Sequence, residues 1–349
     1  MQMPRAQHRL EPGDRFPEFV LADQTGAMRG FSQRVRGLAM AVFLDSTEAL
    51  RQSLRALAEA YQAAELDCLA IDRTAPDVKA GGAEPSLTIL ADEAGRIRQS
   101  LREMAGRPSA SGAARSLAFL LDRNQRVLAL ADDEGDLAQW ALARWSEEPP
   151  AAAAAEIRAA APVLTVPNVL SRADCRALIA RWHEMGNAPG KVTSLVQGEQ
   201  VERVYENLKK RRDHRLGDPA VLRPLLALIG RRLGPELDKA FNYRAFKFDR
   251  VLIACYDAER GDYFRRHRDN QTPATATRRF ALTLNLNSDE YEGGALTFPE
   301  YGNDRYKPPT GAAVLFSCSL LHEALPVTAG QRFALLSFLR DASDPSPAA

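Results

Sequence analysis

The stretch VLIACYDAERGDYFRRHRDN, residues 251–270, decides how the second half of this 349-residue chain is read. From Arg250 onward short alternating segments are separated by Gly, Pro, Asn and Asp turns. That texture predicts an all-β barrel or jelly roll. The stretch ends in His267-Arg268-Asp269. In an extended segment residues i and i+2 point the same way, so one imidazole and one carboxylate can converge on a single ion.

His322 follows Asp269 by 53 residues, at the end of an apolar segment, Ala313 to Leu321, that reads as a strand. Two histidines and one carboxylate make a facial triad, which leaves coordination positions open and suits iron(II). The spacing alone is unspecific, because His-x-Asp is common and a lone histidine after a strand is usually a polar cap. Its surroundings add weight. Arg332 stands ten residues beyond His322 and opens the strand Arg332 to Leu339. A dicarboxylate chelating iron at one end needs a cation at the other, and a guanidinium supplies it as a bidentate fork. Alternation puts Arg332, Ala334 and Leu336 on one face and Phe333, Leu335 and Ser337 on the other. In the strand around Arg279 to Asn287, Phe280, Leu282, Leu284 and Leu286 share one face. Ala281, Thr283, Asn285 and Asn287 share the other, as expected of a barrel wall facing a polar ligand.

Working outward, the chain is long enough for two domains. Residues 1–146 and 163–343 are the expected domains. The linker, 147–162, opens in the polar, proline-ended stop Ser146-Glu147-Glu148-Pro149-Pro150, and Ala151 to Ala155 after it is expected to form a short helix. The first domain alternates strands with helices. Leu38 to Leu44, Leu66 to Ile71 and Leu117 to Leu121 read as strands, and Thr47 to Glu65 has helical spacing with Leu50, Leu54, Leu57 and Tyr61 on one face. This predicts an α/β domain with a partly parallel sheet. The second domain opens on helices, with Ser171 and Asp174 forming a capping box and a further helical pattern over about 219–240.

Lysine and arginine total 46 against 45 acidic residues, a net charge of +1, so global charge gives no reason to expect nucleic acid. The run Lys209-Lys210-Arg211-Arg212 reads as a solvated helix face or turn, since no aromatic stacking pattern accompanies it. No apolar run is long enough for a bilayer, and Met1 to Pro12 has no apolar signal core. Cys68, Cys175, Cys255 and Cys318 are scattered without a CxxC pair, which predicts buried, reduced thiols and a cytoplasmic protein.

Residues 251–256, 267–270, Glu292 to Glu300, Gly311 to Ser317, Leu321-His322-Glu323, Pro326-Val327 and Gln331-Arg332 together resemble the prolyl 4-hydroxylase-like branch of the 2-oxoglutarate/iron(II) dioxygenases. The resemblance covers roughly residues 163–340. It implies a double-stranded β-helix, or jelly roll, with flanking helices. It implies His267, Asp269 and His322 as catalytic iron ligands and Arg332 as the anchor of the 2-oxoglutarate distal carboxylate. Tyr256 matches a tyrosine that bonds the same carboxylate, and Asn285 falls where some relatives place another co-substrate contact. The implied chemistry is O₂-dependent hydroxylation of an unactivated C–H, with release of succinate and CO₂ and support of the iron by ascorbate. Two departures bear on substrate. Many prolyl hydroxylases carry lysine where Arg332 stands, and the His322-to-Arg332 spacing is one residue longer than in some relatives.

Residues 10–145 resemble the peroxiredoxin/thioredoxin-like fold, through Pro12 to Pro17, Phe19 to Asp23, Gly26 and Phe119 to Asp122. The peroxidatic cysteine of a Thr-x-x-Cys turn is missing: Leu44 to Ala49 contains none, and Cys68 lies inside a strand. The domain is therefore expected to be non-catalytic, a scaffold, a binding module or a homodimerisation surface. The overall class is α+β multidomain. Arg266, Arg268 and Asn270 border the triad and are candidate substrate contacts. The substrate is expected to be a peptide or protein, or a small amino-acid-like molecule, with neither membrane nor nucleic acid as partner. An iron and 2-oxoglutarate sensor without turnover is the competing reading.

Overall fold

The computed structural model describes residues 9–34, 37–74, 87–108, 115–132, 135–150, 154, 156–157, 159–196 and 199–344. Contacts divide the chain into two compact units, Met1–Ala154 and Ala155–Ala349. Apart from Ala154, the alanine run read as a linking helix lies outside the described residues, as does most of the N-terminal segment.

The first unit has strands β1 (Val20–Ala22), β2 (Met28–Gly30), β3 (Ala39–Leu44), β4 (Leu66–Asp72), β5 (Thr88–Ala91), β6 (Leu117–Leu121) and β7 (Val127–Asp132), with helices α1 (Glu48–Ala56), α2 (Ala58–Ala63), α3 (Arg96–Met104) and α4 (Leu137–Ser146). They form one sheet in the order β2-β1-β5-β4-β3-β6-β7. β3 and β5 run parallel to β4, whereas β6 is antiparallel to β3 and β7 to β6. A parallel β-α-β pair extended by an antiparallel hairpin and a closing helix is the thioredoxin-like arrangement. Strand alternation explains the layering. Met40, Val42 and Leu44 of β3 enter one core, and Ala39, Ala41 and Phe43 enter the other. Both faces are covered, as a near-continuous apolar strand requires. The expected helical face is confirmed: Leu50, Leu54 and Tyr61 are buried with Leu57 packed beside them, and Thr47 caps α1 by accepting the Leu50 amide.

The second unit is built from β8 (Val163–Val166), α5 (Arg172–Glu184), β9 (Ala188–Pro189), β10 (Val192–Val196), β11 (Glu199–Arg203), β12 (Lys209–Lys210), β13 (Arg212–Arg215), α6 (Pro219–Phe241), β14 (Phe246–Asp257), β15 (Tyr263–His267), β16 (Arg278–Asn285), β17 (Tyr291–Gly293), β18 (Leu296–Thr297), β19 (Ala313–Ser317), β20 (His322–Ala324) and β21 (Val327–Asp341). The major sheet runs β8-β19-β16-β21-β14-β13-β9, with β17 on β21, and the minor sheet runs β12-β15-β20-β18. This is the expected jelly roll. Ser171 and Asp174 close the capping box of α5. Asp218 caps α6, whose first residue is Pro219, a position where the missing N–H costs nothing. Gly311 seats the chain entering α5. Its carbonyl accepts the Val169 and Leu170 amides, and at its φ of +81° a Cβ would lie 2.1 Å from the Leu170 oxygen.

Alternation along the central strands decides what faces the space between the sheets. Val251, Ile253 and Cys255 of β14, with Phe333 and Leu335 of β21, pack under α5 and α6. Each large apolar side chain so buried contributes about 1.5–3 kcal/mol. Leu252, Ala254 and Tyr256 therefore turn inward, between the sheets. The Ala313-to-Leu321 strand is shorter than expected. It ends at Ser317 because the chain must turn to carry His322 onto β20, and the Cys318 carbonyl at that turn accepts the Asp269 amide. All four cysteines are buried and free.

Candidate metal centre and its cavity

His267 closes β15 and His322 opens β20, and the two residues face each other directly across the minor sheet. Their ring centroids are 4.2 Å apart. Asp269, two residues past His267, reaches between them, with Oδ1 3.4 Å from His267 Nε2 and Oδ2 3.4 Å from His322 Nε2. One donor atom from each lies within 4.8 Å of the others. Each imidazole is oriented by its far nitrogen. His267 Nδ1 lies 2.8 Å from the Arg265 carbonyl and His322 Nδ1 lies 2.9 Å from the Leu320 carbonyl. A carbonyl only accepts, so both Nδ1 atoms carry a proton, and both Nε2 atoms are turned toward Asp269.

The charge states suit a cation. Burial disfavours a charged imidazole and brings His322 down to about 4, so it is neutral near pH 7. Burial alone would raise the Asp269 carboxyl, but His322, His267 and Arg278 outweigh it and hold Asp269 down to about 2. Two imidazole nitrogens and one carboxylate on one side of an open space form a group that could hold a metal ion, of the kind that suits iron(II) with positions left free.

These residues line a cavity of about 450 Å³ between the two sheets, within the size range of small-molecule sites. Its lining also includes Tyr256, Thr283, Leu296, Phe316, Arg332 and Leu336. Tyr256 and Arg332 are directly opposed residues of β14 and β21, and the Arg332 guanidinium carbon lies 5.1 Å from the tyrosine ring. Arg332 is 2% exposed, and its Nε and Nη1 are buried without a hydrogen-bond partner. A buried charge left unpaired is expensive unless a ligand completes it. The back of this arginine is shaped by Gly294. At its φ of +62° a Cβ would come within 3.1 Å of Arg332 Cδ.

Two expectations are corrected. Asn285 lies on β16 as expected, but Ala281 and Thr283 are the residues of that face lining the cavity. Asn285 is two residues further along, opposite Ala334, and its amide donates to the Pro308 carbonyl at 3.0 Å. Asn287, on the same face, bonds the Gln331 carbonyl and the Phe333 amide. At this end of the strand the Asn285 amide nitrogen and the Asn287 amide fasten neighbouring chain. The basic run is also not a solvated face. Lys209 and Arg211 are buried, at 4% and 8% exposure, and both line the cavity. Asp213 pairs with both, at 3.4 Å to Lys209 and 2.8 Å to Arg211. Burial, together with the Arg211 charge, brings the Lys209 ammonium down to about 7. The readable signal was the alternate spacing of Lys209, Arg211 and Asp213, which puts two cations and a counter-ion on one strand face.

Among the residues flanking the triad, Arg268 lines the cavity. It pairs with Glu300 at 2.6 Å and also bonds the Ser319 carbonyl. Glu300 in turn accepts the Leu321 amide at 3.0 Å. Arg266 pairs instead with Glu323, and Asn270 with Ser319. Arg268 stands between two triad residues and Leu321 precedes the third, so Glu300 ties both triad-bearing segments together. Sequence reading did not single it out. Glu300→Gln is expected to weaken iron(II) binding by about tenfold while leaving the fold intact, since outer contacts that orient ligands carry effects of that size. Competition against a colorimetric chelator measures it, and affinity equal to wild type would show that the brace is idle.

Residues 251–340 match the family model of the 2OG-Fe(II) oxygenase superfamily. The C-terminal unit carries an oxygenase domain of this class, and the cofactors of the class are iron(II), 2-oxoglutarate and O₂. The chain is thus a 2-oxoglutarate/iron(II)-dependent dioxygenase, with hydroxylases among its relatives. A PKHD-type hydroxylase of Xanthomonas axonopodis pv. citri is 28% identical over 197 residues, covering 52% of this chain and 81% of its own. A Pseudomonas putida prolyl-4-hydroxylase structure superposes with a TM-score of 0.39 at 22% identity, over 52% of this chain and 93% of its own. The peroxidoxin BcpB structure from Mycobacterium tuberculosis gives 0.34 at 21% identity, over 41% of this chain and 100% of its own. Among the described residues no helix is long and apolar enough to cross a membrane.

Proposed function

We propose that His267, Asp269 and His322 hold iron(II), and that the enzyme hydroxylates an unactivated C–H of a peptidyl or amino-acid-like substrate, releasing succinate and CO₂. The observation that carries this reading is the buried, unpartnered Arg332 fork in the same cavity as the His-Asp-His cluster. Arg332 and Tyr256 would grip the distal carboxylate of 2-oxoglutarate, and Asn285 is left out of that grip. Bound iron would supply O₂ activation coupled to oxidative decarboxylation of the co-substrate. The protein's part is placement. Nδ1 contacts fix the imidazoles, Asp269 supplies the single negative charge, and the apolar lining from Leu296, Phe316 and Leu336 keeps water from the reacting centre. Gln271, Thr272 and Thr275 line the cavity as well and offer the hydrogen-bonding groups an amide-bearing substrate needs.

The first unit is proposed to be non-catalytic. Where β3 ends, Asp45 pairs with Arg98 and Arg102, and Ser46 bonds Asp72 through its amide and hydroxyl. No cysteine stands there. Cys68 is buried within β4, and burial pushes its thiol up to about 12, out of the nucleophilic range.

The test is anaerobic loading with iron(II) and 2-oxoglutarate, followed by O₂. A weak visible charge-transfer band in wild type and its absence in His267→Ala is the expected result, with O₂-dependent succinate formation afterwards. A band without succinate for any peptide or amino-acid substrate would favour the sensor reading. No band in folded, iron-loaded wild type would remove 2-oxoglutarate from the site.

A further inference from the structure

Arg211 lies between β12 and β13 and divides its guanidinium between two neighbours. Nε and Nη2 donate to the Asp213 carboxylate at 2.8 and 3.3 Å. Nη1 donates to the Tyr256 hydroxyl oxygen at 2.6 Å. The direction of this last bond is forced, because a guanidinium has five donors and no acceptor. The Tyr256 oxygen is therefore the acceptor, and its own proton must point elsewhere. Among the described residues no protein acceptor for it is found.

Across the ladder from Tyr256 stands Arg332, with Nε and Nη1 unpartnered. The Tyr256 O–H and the unpartnered Arg332 N–H groups at this end of the cavity are all donors. Asp213 holds the lock closed. Burial would raise its carboxyl, but Arg211 and Lys209 keep it low, so it stays ionised.

We propose that Arg211, fixed by Asp213, is a positioning residue that forces the Tyr256 hydroxyl to act as a donor toward the carboxylate gripped by Arg332. The lock makes the co-substrate pocket selective for a carboxylate end over an amide end, since an amide N–H₂ would meet donors on both sides. This rests on the reading that Arg332 and Tyr256 hold 2-oxoglutarate. It adds a residue from the basic run that sequence reading had left on the surface.

The test titrates the full-length, iron(II)-loaded chain with 2-oxoglutarate under anaerobic conditions, reading the charge-transfer band. Tyr256→Phe and Arg211→Met should each bind about tenfold more weakly, the worth of one hydrogen bond to a charged group. The double variant should be no weaker than Tyr256→Phe alone, because the lock then has nothing to act on. Arg211→Lys keeps the charge and loses the fork, so it should resemble Arg211→Met, and it carries the test if the methionine variant fails to fold. Preference for 2-oxoglutarate over its distal amide should fall in both Arg211 variants. Wild-type affinity in Arg211→Met or Arg211→Lys, or a tenfold loss that persists in the Tyr256→Phe background, overturns the proposal. Unchanged binding by Tyr256→Phe also overturns it, while leaving iron and Arg332 in place. Absence of the band in wild type would instead sink the underlying co-substrate reading.

Discussion

Asp269→Asn is expected to leave a folded protein that binds iron(II) at least ~100-fold more weakly and turns over 2-oxoglutarate at less than ~0.1% of the wild-type rate. Changes to groups that only orient metal ligands already cost about 10–100-fold, so loss of a proposed ligand sets the upper end as a floor. The substitution keeps the shape of the side chain and removes its charge. The two imidazoles remain, still oriented through Nδ1 by the Arg265 and Leu320 carbonyls. What disappears is the carboxylate charge, whose Oδ1 lies 3.4 Å from His267 Nε2 and whose Oδ2 lies 3.4 Å from His322 Nε2. Unfolding is not the expected cause of the loss. The groups that hold the Asp269 carboxyl down to about 2 make its charge stabilising in the metal-free fold, so an uncharged amide should lower the apo melting temperature while the chain still folds. Equilibrium dialysis with metal analysis, beside a thermal melt, separates the two causes. Near-wild-type iron binding with lost turnover would mean that Asp269 serves the reaction without holding the metal.

The parts of this site legible in the sequence were those governed by strand alternation. His267 and Asp269 share a side because they are two residues apart, and Phe333 and Leu335 commit Arg332 to the opposite, inner face. The meeting of His267 with His322 was inferred from residue types, their surroundings and the family resemblance. The register that opposes them comes from the pairing of β15 with β20, which no local pattern encodes. Asn285 was misjudged for a related reason. Alternation assigns a face to every second residue but does not say where along a strand the cavity stops, and here it stops after Thr283. The basic run failed differently. Four consecutive cations read as solvent-facing on composition, yet alternate members of the run share Asp213 and a wall of the cavity. Glu300 had no local signal, since its value lies in bridging Arg268 and Leu321 across a loop.

Arg332→Met should weaken 2-oxoglutarate binding by ~100-fold without changing iron(II) affinity. The wild-type side chain is 2% exposed, with two guanidinium nitrogens unpartnered. A carboxylate placed against them forms charge-assisted bonds, and a bidentate pair of such bonds accounts for a loss of about that size. Arg332→Lys, which offers a point charge in place of a fork, should fall between, at ~10-fold. The discriminating probe is 2-oxobutyrate, which keeps the chelating keto acid and lacks the distal carboxylate. It should bind wild type and Arg332→Met equally, so the penalty belongs to the far end of the molecule. Stability should move the opposite way. Removing a buried charge that only the ligand completes is expected to raise the melting temperature of the ligand-free chain, and saturating 2-oxoglutarate should stabilise wild type far more than the variant. Equal 2-oxoglutarate affinity in the two proteins would leave the buried fork without a ligand, and a penalty of the same size for 2-oxobutyrate would mean that Arg332 shapes the metal end of the cavity.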